Sequence, residues 1–349
     1  MTGTIHASEV RHTAIPTYVL GKFIIAGEHA RGEYDIPFAV TERPLIPSVN
    51  RGRKVTNMCG GIYTKITKDE MTRAPLFVTG SPAEAGRLER FIQDNTDELK
   101  AAADSTTRYG HVTSVETKVV DSDIYLRIGM DCGDAAGHNM TTKAASALAD
   151  RLIERFPGAV DLVTLSSNYC TDKKPARVNL DKGRGKRVEA YATISEDILE
   201  QHLKTDGAKL EELNQKKNIT GSRIAGSMAR NAHHANIVAA LYLATGQDIA
   251  NVVEGSLGET YVERSGDNIV FGVRLPSLIV GTVGGGTLLP YAQENLLLMG
   301  CQGAGEPIGS NSKKLAEIIG AAVLAGELSL MAALTNNHEL LKSHVRYER

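Results

Sequence analysis

The sequence predicts an α+β chain: a large, mainly helical part carrying an inserted ferredoxin-like βαββαβ unit. Three observations predict it. Residues 74–165 read, in order, as strand, helix, strand, strand, helix and strand. The flanking segments, 1–73 and 166–349, show no such closed order, and the second holds a long Ala-rich helical stretch at 311–334. With 349 residues, 42% of them hydrophobic, the chain is long enough for about two domains.

The inserted unit is the most legible part. Ala74-Pro-Leu-Phe-Val-Thr79 reads as a short strand. Ser81 follows as a helix N-cap, with Pro82 at the first helical position and Glu84 placed for a capping box. Leu88, Phe91, Ile92, Asn95 and Leu99 then give a mostly apolar stripe at helical spacing. Residues 112–120 and 123–130 are β-rich runs joined by Asp121-Ser122, a hairpin signal. Residues 141–156 form a second amphipathic helix, closed by Pro157-Gly158, and 159–165 a last strand. Outside this unit, helices are expected at 195–204, 226–245, 311–334 and 339–345. A strand is expected at 268–275, with 278–282 as a second run.

Composition narrows the function. The formal net charge is -2, from 39 basic and 41 acidic residues that are well mixed, which disfavours a nucleic-acid partner. The first 14 residues are polar and lack a signal-like apolar core, and no sequence run approaches the ~18 apolar residues of a membrane span, so no membrane partner is expected. Cys59, Cys132, Cys170 and Cys301 are widely separated and form no CxxC pair. Reduced thiols in a cytoplasmic protein are the expectation. His233 and His234 lack HxxxH or HExxH spacing, so no metal is expected.

Several constellations could carry chemistry. Asp131-Cys-Gly-Asp-Ala-Ala-Gly-His-Asn-Met140 lies between a strand and a helix, where small residues free backbone amides for a phosphate; a plain βα loop has the same composition. It is not GxGxxG, so a Rossmann site is not supported. Tyr169-Cys-Thr-Asp-Lys-Lys-Pro175, with Gly183-Arg-Gly-Lys186 after it, could clamp a carboxylate and polarise a carbonyl, or be a solvated charged loop. The triple glycine in Val280-Gly-Thr-Val-Gly-Gly-Gly-Thr287 lets backbone pass close to a ligand, or marks a flexible turn.

Taken in order, these segments form a series. Gly32-Glu-Tyr-Asp-Ile-Pro-Phe-Ala-Val-Thr-Glu-Arg43 and Ser48-Val-Asn-Arg-Gly52 come first. Met71-Thr-Arg-Ala-Pro75, the 133–140 loop and Asn168-Tyr-Cys-Thr-Asp-Lys-Lys-Pro175 follow. Asn231-Ala-His-His-Ala-Asn-Ile-Val238, Gly246-Gln-Asp248, the 281–287 run and Gly326-Glu-Leu-Ser-Leu-Met-Ala-Ala-Leu334 complete it. The series resembles the catalytic domain of 3-hydroxy-3-methylglutaryl-CoA reductases over nearly the whole chain from about Tyr18. The short tail after His344 is closer to the eukaryotic and archaeal class than to the bacterial degradative one.

The resemblance implies NADPH-dependent reduction of 3-hydroxy-3-methylglutaryl-CoA to mevalonate by two hydride transfers, with NADH as the alternative cofactor. It implies a nucleotide-binding unit at 74–165 inserted into a substrate and dimerisation domain at 1–73 and 166–349. It also implies a homodimer or tetramer with active sites at subunit interfaces. By correspondence, Glu42 is the catalytic acid, Lys173 stabilises the oxyanion, Asp248 links the two, and His344 protonates the departing thiolate. Arg73, Ser166, Asp172, Lys174, Lys217 and Asn236 correspond to residues that hold the acyl group or organise the site. Arg108, Asp134, Ala135, Ala136, Gly137, His138 and Asn139 correspond to nucleotide contacts, with Gly284 and Gly285 approaching the cofactor. Arg108 could pair with a 2′-phosphate, favouring NADPH.

These residue types fit the chemistry. Hydride attack on a thioester creates an oxyanion that a fixed ammonium stabilises. A His can protonate the expelled thiolate near neutral pH. Reduction of the aldehyde needs a proton donor, which a carboxylic acid supplies.

The chain also departs from the family pattern. Arg43 follows Glu42 where Gly is usual, and Val40 replaces one of a Thr pair. The Glu-Asn-Val-Ile-Gly motif has no clear counterpart beyond Tyr18-Val-Leu-Gly21, and the segment from there to Glu33 is shortened. Ala136 and His138 stand where Met or Ala is usual, and Ser227-Met-Ala-Arg-Asn231 is one residue short. Two alternatives therefore stand beside the main expectation: a reductase of another CoA- or carrier-bound thioester, and a catalytically silent nucleotide- or CoA-binding paralogue or partner subunit.

Overall fold

A computed structural model describes residues 11–336. The expected helix at 339–345, and His344 within it, lie outside the described residues. The described chain opens with a hairpin, β1 (Thr17–Ala26) and β2 (Arg31–Ala39), then helix α1 (Leu45–Met58) and strand β3 (Tyr63–Arg73). The inserted unit follows as β4 (Leu76–Thr79), α2 (Pro82–Asp94), α3 (Thr96–Asp104), β5 (His111–Val120), β6 (Asp123–Asp131), α4 (His138–Arg155) and β7 (Val160–Thr164).

Its strands pair antiparallel in the order β7-β4-β6-β5, the ferredoxin-like arrangement. The Ser81 hydroxyl accepts from the Glu84 amide at 3.3 Å, as an N-cap should. Asp121 turns the β5–β6 hairpin at φ 52°. The single helical stripe expected across residues 88–99 is split between two helices at Asn95. Val112, Ile124, Leu126 and Ile128 from the strands meet Leu88, Ile92, Leu148 and Leu152 from the helices in one apolar cluster.

The chain then forms α5 (Arg177–Asp181), β8 (Gly185–Ser195) and α6 (Glu196–Ile198), which runs on as a π-helical turn. Helix α7 (Gly207–Leu213) continues through a π-helical stretch, Asn214–Gly221, into α8 (Ser222–Ile224). Next come α9 (His234–Ala244), a 3-10 turn at Ile249–Asn251, α10 (Val252–Gly255), β9 (Glu259–Ser265) and β10 (Asn268–Leu278). A second 3-10 turn, Gly285–Leu288, precedes α11 (Pro290–Leu298) and α12 (Ser310–Leu334).

Strand β3 is the joint. Residues Tyr63 to Glu70 pair with β8, while Met71, Thr72 and Arg73 pair with β6, so one continuous sheet crosses from the larger part into the inserted unit. Helix α12 packs against α1, α9, β8 and β10. Small residues permit this closeness: a Cβ on Gly52 would lie 1.8 Å from the Ala325 carbonyl oxygen. Contrary to the expectation from the sequence, α12 is long and apolar enough, by length and composition, to cross a membrane. Yet 94% of its most apolar window is buried in the protein, which makes it a core helix.

Two other expectations are corrected. The helix expected at 226–245 begins only at His234. Before it, Arg230 pairs its backbone with Gly258 and Thr260, and the amides of Ala232 and His233 donate to Glu327 on α12. Those partners outweigh local helix propensity. The second run at 278–282 leaves the sheet after Leu278, and the Thr282 amide donates to the Asp134 carbonyl instead. All four cysteines are free, and burial pushes the thiols of Cys132 and Cys301 up to about 12.

Candidate active site

The loop between β7 and α5 carries the Asp-Lys-Lys motif and takes an unusual path. Asn168, Thr171 and Lys173 all adopt positive φ, at 65°, 59° and 56°. Such backbone is strained for residues other than Gly and persists where surroundings hold it. The Lys173 amide donates to Glu254 Oε1 at 2.9 Å, and Thr171 bonds through its hydroxyl to Asn179.

Around this loop, charges from five segments converge. Lys173 Nζ lies 2.8 Å from Asp248 Oδ2. Asp172 faces Arg184 at 3.1 Å, Arg73 at 3.7 Å and the His138 ring at 3.9 Å. Arg73 also donates to the Ser166 hydroxyl at 3.3 Å. Lys174 turns back onto the Asp172 carbonyl at 3.2 Å. Beneath them, fully buried Glu254 pairs with fully buried Arg184 at 2.8 Å.

This arrangement fixes protonation. The hydrogen bond that Lys173 donates to Asp248 raises the Lys173 pKa, although burial opposes it. Burial also works against ionised Asp248, but Lys173 and the Ala250 amide outweigh it and hold that carboxyl below its ordinary range. Burial, reinforced by Arg184, lowers the His138 pKa. Its contact with Asp172 is therefore that of a neutral ring near pH 7. Lys173 is thus a charged ammonium at the partly exposed rim of a braced cluster, as oxyanion stabilisation requires.

The nucleotide-loop candidates lie alongside. Gly137, at φ 96°, starts α4, and no side chain caps that helix end. The amides of its first turn, including those of His138 and Asn139, are suited to an anion. The Asp134 carboxylate is turned inward: it accepts amides of Gly305, Gly309 and Ser312 at 2.9, 2.7 and 2.9 Å. Asp134 therefore shapes the loop through backbone bonds. Ala135 bridges to Val283, and a Cβ on Gly281 would meet the Ala136 nitrogen at 2.4 Å, so the glycine run packs directly on this loop. Gly284 and Gly285 adopt positive φ and have open space where a side chain would be. The Gln247 side-chain amide exchanges two 2.9 Å hydrogen bonds with Gly281, docking the Asp248 turn on the glycine run. Arg108 is exposed and stacks on Tyr109 at 5.1 Å, and the Tyr109 carbonyl packs against Gly133.

Other candidates stand apart. Glu42 is exposed and lines an open cleft with Thr41, Asn236, Leu243 and Ile249, reaching the residue next to Asp248. Asn236 contacts the His233 ring at 3.4 Å. Lys217, half-buried on the π-helical stretch, donates to Asn218 at 3.3 Å. Among the described contacts, none joins Lys217 to the Lys173 cluster. His344 lies outside the described residues.

Arg184, Asn251 and Glu254 are the residues that motif reasoning passed over. Arg184 sits in the Gly183-Arg-Gly-Lys186 segment noted beside the lysines, so a signal existed. Glu254, in Val252-Val-Glu-Gly255, resembles any helical glutamate until its burial is seen. Among the described residues, no group of three or more His, Cys, Asp or Glu is arranged to hold a metal.

The chain matches known proteins over nearly its whole length. The family model described as hydroxymethylglutaryl-coenzyme A reductase matches residues 10–349. The 3-hydroxy-3-methylglutaryl-coenzyme A reductase of Aeropyrum pernix is 45% identical over 332 residues, covering 94% of this chain and 79% of the relative. That of Halobacterium salinarum is 46% identical, covering 92% and 79%. That of the plant Camptotheca acuminata is 42% identical, covering 97% of this chain and 57% of its own. Among solved structures, the class II reductase from Streptococcus pneumoniae bound to NADPH in open conformations superposes with a TM-score of 0.73 at 20% identity, covering 94% of this chain and 78% of that one. That likeness speaks for the fold, and the archaeal and plant relatives agree with the expected class. The chain belongs to the hydroxymethylglutaryl-coenzyme A reductase family.

Proposed function

We propose that this protein reduces 3-hydroxy-3-methylglutaryl-CoA to mevalonate and free CoA in the cytoplasm, with residues 74–165 binding the nucleotide and 1–73 with 166–349 binding the acyl-CoA. The observation that carries the reading is the Lys173 ammonium, held 2.8 Å from Asp248 on a braced loop beside the glycine run. NADPH, when bound, supplies a hydride to each of two successive carbonyls. The uncapped start of α4 and the open side of Gly284 and Gly285 would receive its phosphates, and exposed Arg108 would meet the 2′-phosphate.

The chain's own groups then divide the work. Lys173 stabilises the oxygen that becomes negative when the thioester carbon gains a hydride. Collapse of that adduct breaks the C–S bond and leaves an aldehyde; His344 protonates the departing thiolate. The second reduction again places negative charge on oxygen beside Lys173, and Glu42 supplies the proton that completes the alcohol. Arg73, Ser166, Asp172, Lys174, Lys217 and Asn236 hold the acyl group.

This reading calls for a second copy of the chain. Glu42 is exposed, and Lys217 is separate from the Lys173 cluster. Packing of another protomer over the cleft would bury the acid and bring the remaining groups to the ammonium. A homodimer, or a tetramer built from it, supplies that surface.

The direct test is steady-state oxidation of NADPH and of NADH with 3-hydroxy-3-methylglutaryl-CoA, with product identified by mass spectrometry. Mevalonate and free thiol, with two reduced nucleotides consumed per mevalonate and NADPH preferred, is the expected result. Cofactor binding without turnover would contradict it.

A further inference from the structure

We infer that Glu254 is a positioning residue for the reduction, holding Lys173 through the lysine's backbone amide. The inference rests on the reading of Lys173 as the oxyanion-stabilising group. Its basis is a mismatch between a strained loop and an unusually placed charge.

Lys173 must keep a left-handed backbone, at φ 56°, for its ammonium to stay on Asp248. Nothing in the lysine favours that conformation, and the loop's own turn bond from the Lys174 amide to the Thr171 carbonyl, at 3.3 Å, leaves the Lys173 amide to be held from elsewhere. Glu254 provides it from α10, 81 residues further on: its Oε1 accepts the Lys173 amide at 2.9 Å. The same oxygen accepts from Arg184 at 2.8 Å and from Asn251 at 3.0 Å. Arg184 in turn lies 3.1 Å from the Asp172 carboxylate. One buried pair thereby fixes both members of the Asp-Lys step, Asp172 by its side chain and Lys173 by its backbone.

Stability alone does not account for a carboxylate here. Glu254 is fully buried, burial raises its pKa, and its second oxygen has no hydrogen-bond partner. Buried ion pairs replaced by well-packed apolar groups are often as stable or more so. What an apolar group could not do is accept the Lys173 amide and add negative charge beneath the ammonium. Asp248, Asp172 and Glu254 are the charges that favour the Lys173 ammonium; on the other side of the balance, Arg184, Arg73 and Lys174 gather on the neighbouring Asp172, with His138 neutral. Without Glu254 the balance shifts toward repulsion, and Lys173 loses its proton at lower pH.

The test uses the full chain and compares Glu254→Gln, Glu254→Asp and Lys173→Ala with the parent, measuring kcat and KM against pH and the thermal midpoint. Gln keeps the shape and an acceptor oxygen but not the charge. Its kcat should fall about tenfold, with KM for NADPH within about twofold, and the alkaline limb of kcat should move to lower pH. Asp keeps the charge but shortens the reach, so kcat should fall while the limb stays; it also serves if the Gln variant does not fold. A folded Gln variant with parental kcat and an unmoved limb overturns the inference. So does an Asp variant that loses only thermal stability. If Lys173→Ala itself turns over like the parent, the underlying reading of Lys173 has failed, and the inference falls with it.

Discussion

The Lys173 cluster and the Glu42 cleft carry the two ends of the same proposed reaction, yet the chain treats them differently. At Lys173 the bracing comes from within the chain: Asp248 meets the ammonium, Glu254 accepts the amide, and Arg184 and Arg73 hold the adjacent Asp172. At Glu42 the carboxylate is exposed on an open cleft lined mostly by apolar residues, Ala239, Ala240 and Leu243 of α9 among them. A charge-stabilising group has to be preorganised before substrate arrives, because reorganising it during the reaction would consume the advantage. A proton donor can be completed later, when another surface covers it. On the proposed reading, the difference separates the half of the site built by folding from the half that a second copy would complete.

Both regions rest on a buried glutamate that accepts backbone amides, and here too they differ. Glu254 is paired with a permanent cation, Arg184. Glu327, below the Asn231–Asn236 segment, accepts the amides of Ala232 and His233 and the Thr260 hydroxyl, next to His234, whose pKa burial pushes down to about 4. The first support holds a cation that stays charged; the second contains a base that acid will eventually protonate.

The largest expected effect is on the cleft's own acid. Glu42→Gln should lower kcat by about 10²–10³ with nucleotide binding intact, read from steady-state rates and NADPH titration. A variant at parental rate would remove the cleft from the chemistry. Next comes the pH contrast. His234 has a folded pKa of about 4, below its unfolded 6.5, so unfolded chain takes up the proton first. The stability this histidine contributes is complete above pH 6.5 and is lost as pH falls toward 4. From pH 8 to pH 5 the loss is about 2 kcal/mol, measurable by urea unfolding, and His234→Gln should abolish that part of the slope. Asp248, whose pKa is depressed, keeps its contribution until the pH falls below the ordinary carboxylate range, so hydrogen exchange should show α9 opening first in acid. The smallest effect is at the cofactor: Arg108→Ala should cut the preference for NADPH over NADH by about tenfold, seen in the KM ratio, with kcat unchanged.

Legibility in the sequence follows the same division. The inserted unit could be read because its signals are local: a capping serine, a hairpin turn and apolar stripes at helical spacing, although the break at Asn95 left no trace in the first stripe. Strands β3 and β8 could not, because Lys68, Asp69, Glu70, Lys186 and Arg187 interrupt their alternation. In the fold those charges are paired or bonded: Glu70 with Lys68, Asp69 with Lys186, and Arg187 with the carbonyls of Leu180 and Asp181. Pairing is a tertiary property with no one-dimensional trace. Asp172, Lys173, Arg73 and Ser166 were legible from motifs, and the fold brings them together. Glu254 was not, since only burial distinguishes it from a solvated helical residue. Lys217 was legible by type, while its separation from Lys173 was not.

The most direct test of a site centred on Lys173 and completed by a second copy is complementation between Lys173→Ala and Lys217→Ala, expressed separately and then together. Each alone should lose at least about 10² in mevalonate-forming rate. Together, mixed dimers should restore roughly a quarter of parental activity, because each carries one site with both lysines intact. Parental turnover by Lys173→Ala, or a co-expressed pair as inactive as either variant alone, would contradict the account.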